Sequence, residues 1–261
     1  MNGVLTEMTV DEVRALRPEV MVIPVGSVEP HGPALPYGTD SFECEALGRE
    51  GVLRANRRRA RALLYPTLPV GNNVNFKAFP FACRIRVETL IDTLLDIVKA
   101  LEEDGLRKIV LVNGHGGNTE AIRAALRIHM DRTPAGQRAF VCVFAPLPVG
   151  DIIRHPSEHG GESETSNVLH LRGDLVKRSK IGNFPFAEPC VAELKGCFFV
   201  RPWHLYVPAS AGGDSREASA DKGRRILERN GEHLARLLVA LSRARWHPDF
   251  PYRRARRTRA S

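Results

Sequence analysis

Short apolar runs of strand length alternate along this chain with longer segments of helical pattern. Val20–Val25 and Lys108–Asn113 are typical of buried strands, whereas residues 88–105 carry apolar side chains at helical spacing and stop at a glycine. Such alternation predicts an α/β fold with a mostly parallel sheet flanked by helices. We expect further strands at 62–70 and 139–145, and further helices at 41–61, 118–132, 163–171 and 216–241.

The rest of the chain gives weaker signals. No linker or internal repeat divides residues 1–245, which we expect to form one domain. Segment 176–208 is irregular and could hold a short antiparallel strand pair and a lid, with Trp203 and His204 either lining a pocket or lying at the surface. Residues 246–261 are basic and contain two prolines, so we expect a disordered tail.

Composition excludes several classes of function. Much of the net charge of +8 comes from residues 54–61 and 253–259, a solvated helix end and the tail, and no nucleic-acid-binding motif accompanies it. No apolar run approaches the roughly 20 residues that cross a bilayer, and the N-terminus has no secretory pattern. Five cysteines without a Cys-x-x-Cys pair indicate free thiols. We therefore expect a cytoplasmic protein without nucleic-acid or membrane partners.

The first predicted strand is followed by a loop that is rich in glycine and proline and carries carboxylate and imidazole side chains, which commonly bind metal ions. This loop reads Gly26-Ser-Val-Glu-Pro-His-Gly-Pro-Ala-Leu-Pro-Tyr-Gly-Thr-Asp40 and contains Glu29 and His31. Because residues two apart in an extended chain point the same way, Glu29 and His31 can reach one point, to which Asp40 can return. Oxygen and nitrogen ligands without thiolate suit zinc, manganese or iron.

A second loop, Asn113-Gly-His-Gly-Gly-Asn118, follows the strand at 108–113 and places His115 at its centre. The loop alone could be a tight glycine turn or a phosphate cradle at a helix start, although its spacing matches neither common phosphate motif. Ligands of parallel sheets gather beyond the carboxyl ends of the strands. We therefore expect His115 to join the metal-type residues of the first loop if the two strands are neighbours.

A third cluster, Glu158-His-Gly-Gly-Glu-Ser-Glu-Thr-Ser166, holds three carboxylates and one imidazole within seven residues. It could simply be the acidic start of a helix, which negative charge stabilises by up to about 1 kcal/mol. If the helix begins near Ser163, Glu162 lies before it and Glu164 lies in its first turn. The two side chains then diverge, so we expect one to bind metal and the other to support it from behind, and the sequence leaves both assignments open.

Together the loops resemble the creatininase family of metal-dependent amidohydrolases. That family carries Gly-Ser-x-Glu-x-His-Gly, Leu-Pro-x-Gly-Thr-Asp, Asn-Gly-His-Gly-x-Asn and His-Ala-Gly-x-x-Glu-Thr-Ser in this order. Residues 213–223 are also similar to the family segment that opens the last long helix, so the resemblance covers about residues 5–240. The segments that correspond to the four motifs begin at Gly26, Leu35, Asn113 and His159.

The resemblance implies a three-layer α/β/α sandwich, commonly assembled as a homo-hexamer, with two divalent ions near the strand ends. Zinc is the first expectation, and manganese and iron are the alternatives. The glutamate that completes the set in creatininase itself corresponds to Gly117, so Glu162 is the expected substitute. The implied metal ligands are Glu29, His31, Asp40 as the bridging residue, His115 and Glu162, and the implied catalytic residues are Glu158, His159 and Glu164.

Some positions depart from the family pattern. Ala34 replaces a frequent histidine, Gly160 replaces alanine, and residues 79–82 read Phe-Pro-Phe-Ala where many relatives have Phe-Pro-Gly-Thr at the substrate pocket. Creatinine itself is therefore a poor expectation. The implied substrate is a small-molecule amide, namely a cyclic amide, a formamide or a short peptide amide, hydrolysed by a metal-activated water. The alternatives are a dinuclear-metal phosphoesterase and a non-catalytic protein on the same fold.

Overall fold

The computed structural model describes residues 2–156 and 159–252 of the chain. Its strands are β1 (Val20–Val25), β2 (Ala62–Leu64), β3 (Lys108–Asn113) and β4 (Phe140–Val143). They form one parallel sheet in the order β2-β1-β3-β4, which confirms the predicted sheet type. β2 is shorter than the predicted 62–70 because Pro66 and Pro69 have no N–H to donate to a neighbouring strand.

Helices cover both faces of the sheet. Those within the described residues are α1 (Val10–Leu16), α2 (Thr39–Arg57), α3 (Val87–Glu103), α4 (Thr119–Arg132), α5 (Glu162–Arg172), α6 (Trp203–Tyr206) and α7 (Ala220–Arg243). The chain turns away after α3 at Gly105, whose φ of 88° suits glycine. α7 begins later than predicted because the hydroxyl of Ser219 accepts the Lys222 N–H and caps the helix there.

Alternate residues of β1 face opposite layers of the molecule. Val20 and Val22 pack into a core cluster with α2 and α7, whereas Met21 and Ile23 pack into a second cluster with α3 and α4. Full burial of such side chains stabilises a fold by about 1.5–3 kcal/mol each. The helices therefore lie on both sides of the sheet, which confirms the three-layer α/β/α sandwich.

Lys108, the first residue of β3, is buried and ties the sheet to the end of α7. Its Nζ donates hydrogen bonds to Glu19 Oε2 (3.1 Å) and to the carbonyl oxygens of Leu241 (2.8 Å) and Ala244 (2.9 Å). The last carbonyl groups of a helix have no partner within that helix. The lysine therefore satisfies these groups and fixes α7 against the amino end of β3.

The region between α5 and α7 has little regular structure, as predicted. β5 (Asn183–Phe184) pairs antiparallel with β6 (Gly213–Asp214), which lies beyond the segment expected to hold such a pair. Residues 246–252, expected to begin a disordered tail, contact the domain, and the rings of Phe250 and Phe140 meet edge-on at 5.0 Å between centroids. The remaining tail lies outside the described residues.

Two expectations drawn from composition can be compared with this fold. All five cysteines are free thiols, as predicted. Among the residues that the structure describes, no helix combines the length and the apolar character that a membrane span requires. The domain boundary at residue 245 and the cytoplasmic location stay predictions.

Candidate metal centre

Three loops at the carboxyl end of the sheet bring together carboxylate and imidazole side chains that could bind metal ions. Glu29 and His31 follow β1, and His115 follows β3. Because β1 and β3 are paired with Val25 opposite Asn113, both loops leave the sheet at the same edge. The other side chains come from helix starts: Asp40 lies in the first turn of α2, His159 precedes α5, and Glu164 lies in the first turn of α5.

Asp40 lies at the middle of this cluster with one oxygen toward each of two histidines. Its Oδ1 is 3.0 Å from His31 Nε2, and its Oδ2 is 3.2 Å from His115 Nδ1. Glu29 Oε2 is 3.0 Å from the same His115 nitrogen, whereas Glu164 Oε2 is 3.8 Å from His31 Nε2. The Asp40 carboxylate is therefore shared by two sets of side chains.

Three overlapping groups of the described residues place their ligand atoms within 4.8 Å of one another. We call Glu29, Asp40 and His115 the first half-site, and His31, Asp40 and Glu164 the second half-site. The third group combines Glu29 and His31 with His159. Carboxylate oxygens and imidazole nitrogens are common ligands of zinc and also suit manganese, so each half-site could hold a divalent ion.

Each of the three histidines places its other ring nitrogen against a backbone carbonyl oxygen. A ring N–H that donates to such a carbonyl fixes the tautomer and leaves the lone pair of the opposite nitrogen on the cluster side. This is the orientation of histidines that bind metal. The pairs are His31 Nδ1 with Glu29 (3.1 Å), His115 Nε2 with Asn72 (3.1 Å) and His159 Nε2 with Pro30 (2.9 Å).

Gly117 makes room for the contact between His115 and Asn72. A Cβ atom at this position would lie 2.3 Å from His115 Nε2 and 2.4 Å from the Asn72 carbonyl oxygen, far closer than real contacts. A side chain at Gly117 would therefore displace the histidine or its partner. The arrangement accordingly needs its last carboxylate ligand from another place in the chain.

A chain of hydrogen-bonded side chains behind Glu29 is not predicted by the sequence. Asn73 Nδ2 donates to Ser27 Oγ (2.7 Å), and Ser27 Oγ donates to Glu29 Oε2 (3.1 Å). Such partners orient a ligand carboxylate. Asn73 lies 46 residues from Ser27, and its one signal in the sequence is a pair of neighbouring asparagines after an extended segment.

The cluster is buried, and its charges shift one another's pKa values. Burial disfavours a charged imidazole at His115, but Asp40 and Glu29 outweigh this effect and raise its pKa to about 10. Burial opposes charge on His31 too, yet its pKa is raised by Asp40 and other carboxylates. Burial likewise opposes charge on Asp40, whose pKa is nevertheless lowered by the two histidines. These carboxylates are thus stabilised by positive charge placed among them.

Two atoms at the centre have close contacts but no hydrogen bond. His31 Nε2 and Asp40 Oδ2 are buried, and neither has a partner of hydrogen-bond geometry among the described residues. Leaving such a buried atom unpaired costs about 1–3 kcal/mol. Cations at the two half-sites would satisfy both atoms, so the donor set fits divalent metal ions.

His159 lies at the side of the cluster. Its ring is 4.1 Å from the His31 ring between centroids, and its Nδ1 is 3.7 Å from Glu29 Oε1. Burial, together with the charge on His31, lowers the pKa of His159 to about 3, so the imidazole is neutral near pH 7. The structure places His159 beside the cluster, 3.7 Å from Glu29, whereas Glu158 lies outside the described residues.

Glu162 and Glu164 both lie in the first turn of α5, which begins one residue earlier than predicted. Glu164 approaches His31, but Glu162 is fully buried against other groups. Its Oε1 is 2.6 Å from Lys222 Nζ, and its Oε2 accepts the backbone N–H groups of residues 154 and 155 at 2.8 and 2.7 Å. Both oxygens of Glu162 are engaged, and this residue belongs to none of the three groups, whereas Glu164 belongs to the second half-site.

Comparison with known proteins supports one family. Residues 6–238 match the model of the creatininase family, which is described as creatinine amidohydrolase. The chain is 31% identical to a mycofactocin precursor peptide peptidase of Mycobacterium ulcerans (strain Agy99), over 94% of this chain and 92% of that protein. It is 30% identical to a creatinine amidohydrolase of Pseudomonas putida, over 80% of this chain and 84% of that protein.

Solved structures share the fold. A protein of Bacteroides fragilis NCTC 9343, assigned to the creatinine amidohydrolases, matches with a TM-score of 0.79 at 25% identity, over 94% of this chain and 98% of that one. A manganese form of creatininase matches with a TM-score of 0.71, and a zinc–zinc form of a creatininase variant with 0.70, each at 26% identity over 94% of this chain and 100% of the other. Together with the centre built by three loops, these matches show that the chain belongs to the creatininase family of metal-dependent amidohydrolases.

Proposed function

We propose that this protein hydrolyses its substrate amide at two divalent cations, one in each half-site. Asp40 would bridge the cations, since its separate oxygens contact His31 and His115 at 3.0 and 3.2 Å, and this observation carries the proposal. Glu29 would complete the first half-site, and Glu164, in place of Glu162, the second. The zinc and manganese forms of creatininase support either metal, and iron is the alternative.

Cations held by these residues would lower the pKa of a bound water and would polarise the carbonyl of the substrate. The task of the chain is to hold the ligands in place before the substrate arrives. Glu29 and Asp40 are only 1% and 3% exposed, so solvent screens their charges little. The backbone carbonyl contacts of the histidines keep the rings oriented, which reduces reorganisation during the reaction.

We assign proton transfer to His159. Its Nε2 lies against the Pro30 carbonyl oxygen, and its Nδ1 lies on the side of Glu29. Its ring is neutral near pH 7, so it can take the proton that the attacking water gives up and pass it to the leaving nitrogen of the amide, which departs as an amine. Glu158 is proposed to share this task on the strength of the family resemblance.

The surroundings favour an amide over a phosphate ester as the substrate. Sites for phosphoryl transfer clamp the phosphate oxygens with arginine or lysine. The nearest basic residues along the sequence, Lys77, Arg84 and Arg86, are all exposed. Two relatives, by name, cleave creatinine and a precursor peptide. A cyclic amide and a peptide amide are therefore the leading substrate classes, and a formamide is the third.

Removing the metal with a chelator should abolish amide hydrolysis. With a panel of creatinine, an N-formyl amine and short peptides, we expect turnover of the cleaved amide to fall at least about 100-fold, because the cations activate both water and carbonyl. About two equivalents of zinc or manganese per chain should restore it. Product formation by liquid chromatography and metal content by mass spectrometry check both results. Full activity after chelation, or faster cleavage of a phosphate ester than of every amide, would contradict the proposal.

The assembly state and location belong to the same proposal. The family resemblance supports a homo-oligomer, with a hexamer as the first expectation, and the free cysteines are consistent with a reducing cytoplasm. Size-exclusion chromatography with light scattering measures the assembly directly, and cell fractionation measures the location. A monomer at micromolar concentration would rule out the proposed assembly.

A further inference from the structure

A pocket of about 760 Å³ lies in the irregular region between α5 and α7. Its volume is in the range of sites that enclose ligands of drug size. A centre that serves only a molecule as small as creatinine would not need this space. The wall is mostly apolar and includes Phe186, Leu194, Phe199, Arg201, Leu205 and Tyr206.

Trp203 connects this pocket to the metal centre. Its ring lies 5.5 Å from the ring of His159 and 5.6 Å from the ring of Tyr206, which lines the pocket. The indole N–H is buried and has no hydrogen-bond acceptor in the described part of the chain. An acceptor that arrives with a ligand would satisfy this donor. One aromatic side chain thus separates the pocket from the residue that we assign to proton transfer.

Arg201 gives the pocket wall a positive charge, and no acidic side chain among the described residues forms an ion pair with it. Its guanidinium carbon lies 5.2 Å from the centroid of the Phe199 ring and 4.5 Å from that of Tyr206. Within the described residues Arg201 has neither a hydrogen bond nor an ion pair, whereas Glu188, which also lines the pocket, has an interaction of its own. A guanidinium stacked on rings keeps its in-plane N–H groups available for a two-pronged contact with a carboxylate.

We propose that the pocket binds the part of a peptide substrate that flanks the scissile amide, an apolar side chain accompanied by a carboxylate that pairs with Arg201. This inference rests on the proposed function and narrows its substrate to a peptide amide. The successive distances of 5.5, 5.6 and 4.5 Å from the His159 ring by way of the Trp203 and Tyr206 rings limit how far the guanidinium can lie from His159. About five residues of extended peptide can span that separation. The carboxylate can belong to an acidic side chain or to the end of the peptide.

Fluorescence can test the binding step without turnover. The chain has two tryptophans, so Trp246→Phe leaves Trp203 as the single reporter. N-acetylphenylalanine should change its emission, and the corresponding amide and N-acetylglycine should bind at least about tenfold more weakly. Arg201→Gln should abolish the preference for the acid over its amide, whereas Arg123→Gln, an exposed control on α4, should keep it.

Two results of this titration would overturn the inference. The first is a preference for the acid that survives Arg201→Gln. The second is an unchanged emission with every probe. In that case Leu205→Asp would be compared with the parent by light scattering, and loss of an oligomer would show that a second copy of the chain covers the pocket instead of substrate.

Turnover by the metal-loaded protein separates the two sources of the carboxylate. The peptides to compare contain phenylalanine with a free terminal carboxylate, with a terminal amide, or with a terminal amide and a neighbouring aspartate, and a glycine peptide is the control. We expect kcat/KM to be at least about tenfold higher for the phenylalanine peptides that carry a carboxylate than for the others, because their KM is lower. Arg201→Gln should remove this difference without changing the metal content. Cleavage of creatinine or a formamide but of no peptide would contradict this inference and leave the proposed function intact. Failure to cleave any amide would contradict the proposed function itself.

Discussion

Asp40→Asn should leave the chain unable to hold two divalent ions and should abolish amide hydrolysis. Asparagine keeps the shape of the side chain but loses its charge, and its amide nitrogen cannot act as the second oxygen ligand. Losing a group behind a metal ligand typically costs 10–100-fold in affinity or activity, so losing a bridging ligand should cost at least about 100-fold. Metal content per chain and kcat/KM on the cleaved amide are the measurements.

The fold should tolerate this change. Asp40 lies in the first turn of α2, where losing one negative charge costs about 1 kcal/mol or less, and asparagine has nearly the same size. Asp92→Asn, at an exposed position of α3, is the matched control and should behave like the parent protein. Two tightly held ions in Asp40→Asn would show that this carboxylate does not bridge the half-sites.

Glu164→Gln and Glu162→Gln should have opposite effects although the two residues are neighbours on α5. Glu164→Gln should lose the ion of the second half-site and at least about 100-fold in turnover, with little change in the stability of the chelated protein. Glu162→Gln should keep both ions but lower the free energy of unfolding by about 3 kcal/mol, because it breaks a buried pair with Lys222. Metal analysis and urea unfolding of the chelated variants distinguish the two.

The reverse pattern would restore the role that the sequence suggested for Glu162. In that case Glu162→Gln would lose an ion, and Glu164→Gln would unfold at lower urea with its metal retained. Lys222→Met provides a further check, since it removes the partner of Glu162 without touching either half-site. It should reproduce the loss of stability seen in Glu162→Gln and keep both ions.

The convergence of the first two loops could be predicted because it depends on local rules. Glu29 and His31 are two residues apart after a strand, and His115 follows a second strand of the same type. Once the sheet is parallel, both loops must leave it at one edge. The strand pairing of Val25 with Asn113 confirms that step.

The choice between the two glutamates could not be predicted from the sequence. It depends on a helix that starts one residue earlier than its composition suggests, and boundaries of this kind follow from tertiary contacts. It also depends on Lys222, which is 60 residues further along the chain and engages Glu162. The hydrogen-bond partners of the histidines could not be predicted either. They are backbone carbonyl groups such as that of Asn72, and every residue has one whatever its side chain.

The pocket beside Trp203 was also beyond sequence analysis. Segment 176–208 has neither helical nor strand periodicity, so no rule places its aromatic side chains relative to one another. Contacts with His159 and Tyr206 fix the position of Trp203, and these arise only when the whole domain is assembled.

The most direct measurement is anomalous diffraction at the zinc edge from crystals of the zinc-loaded protein. We expect two peaks per chain, each about 2.0–2.2 Å from a different oxygen of Asp40, with His115 bound to one and His31 to the other. A single peak, or two peaks that Asp40 does not join, would contradict the dinuclear centre on which the proposed function depends.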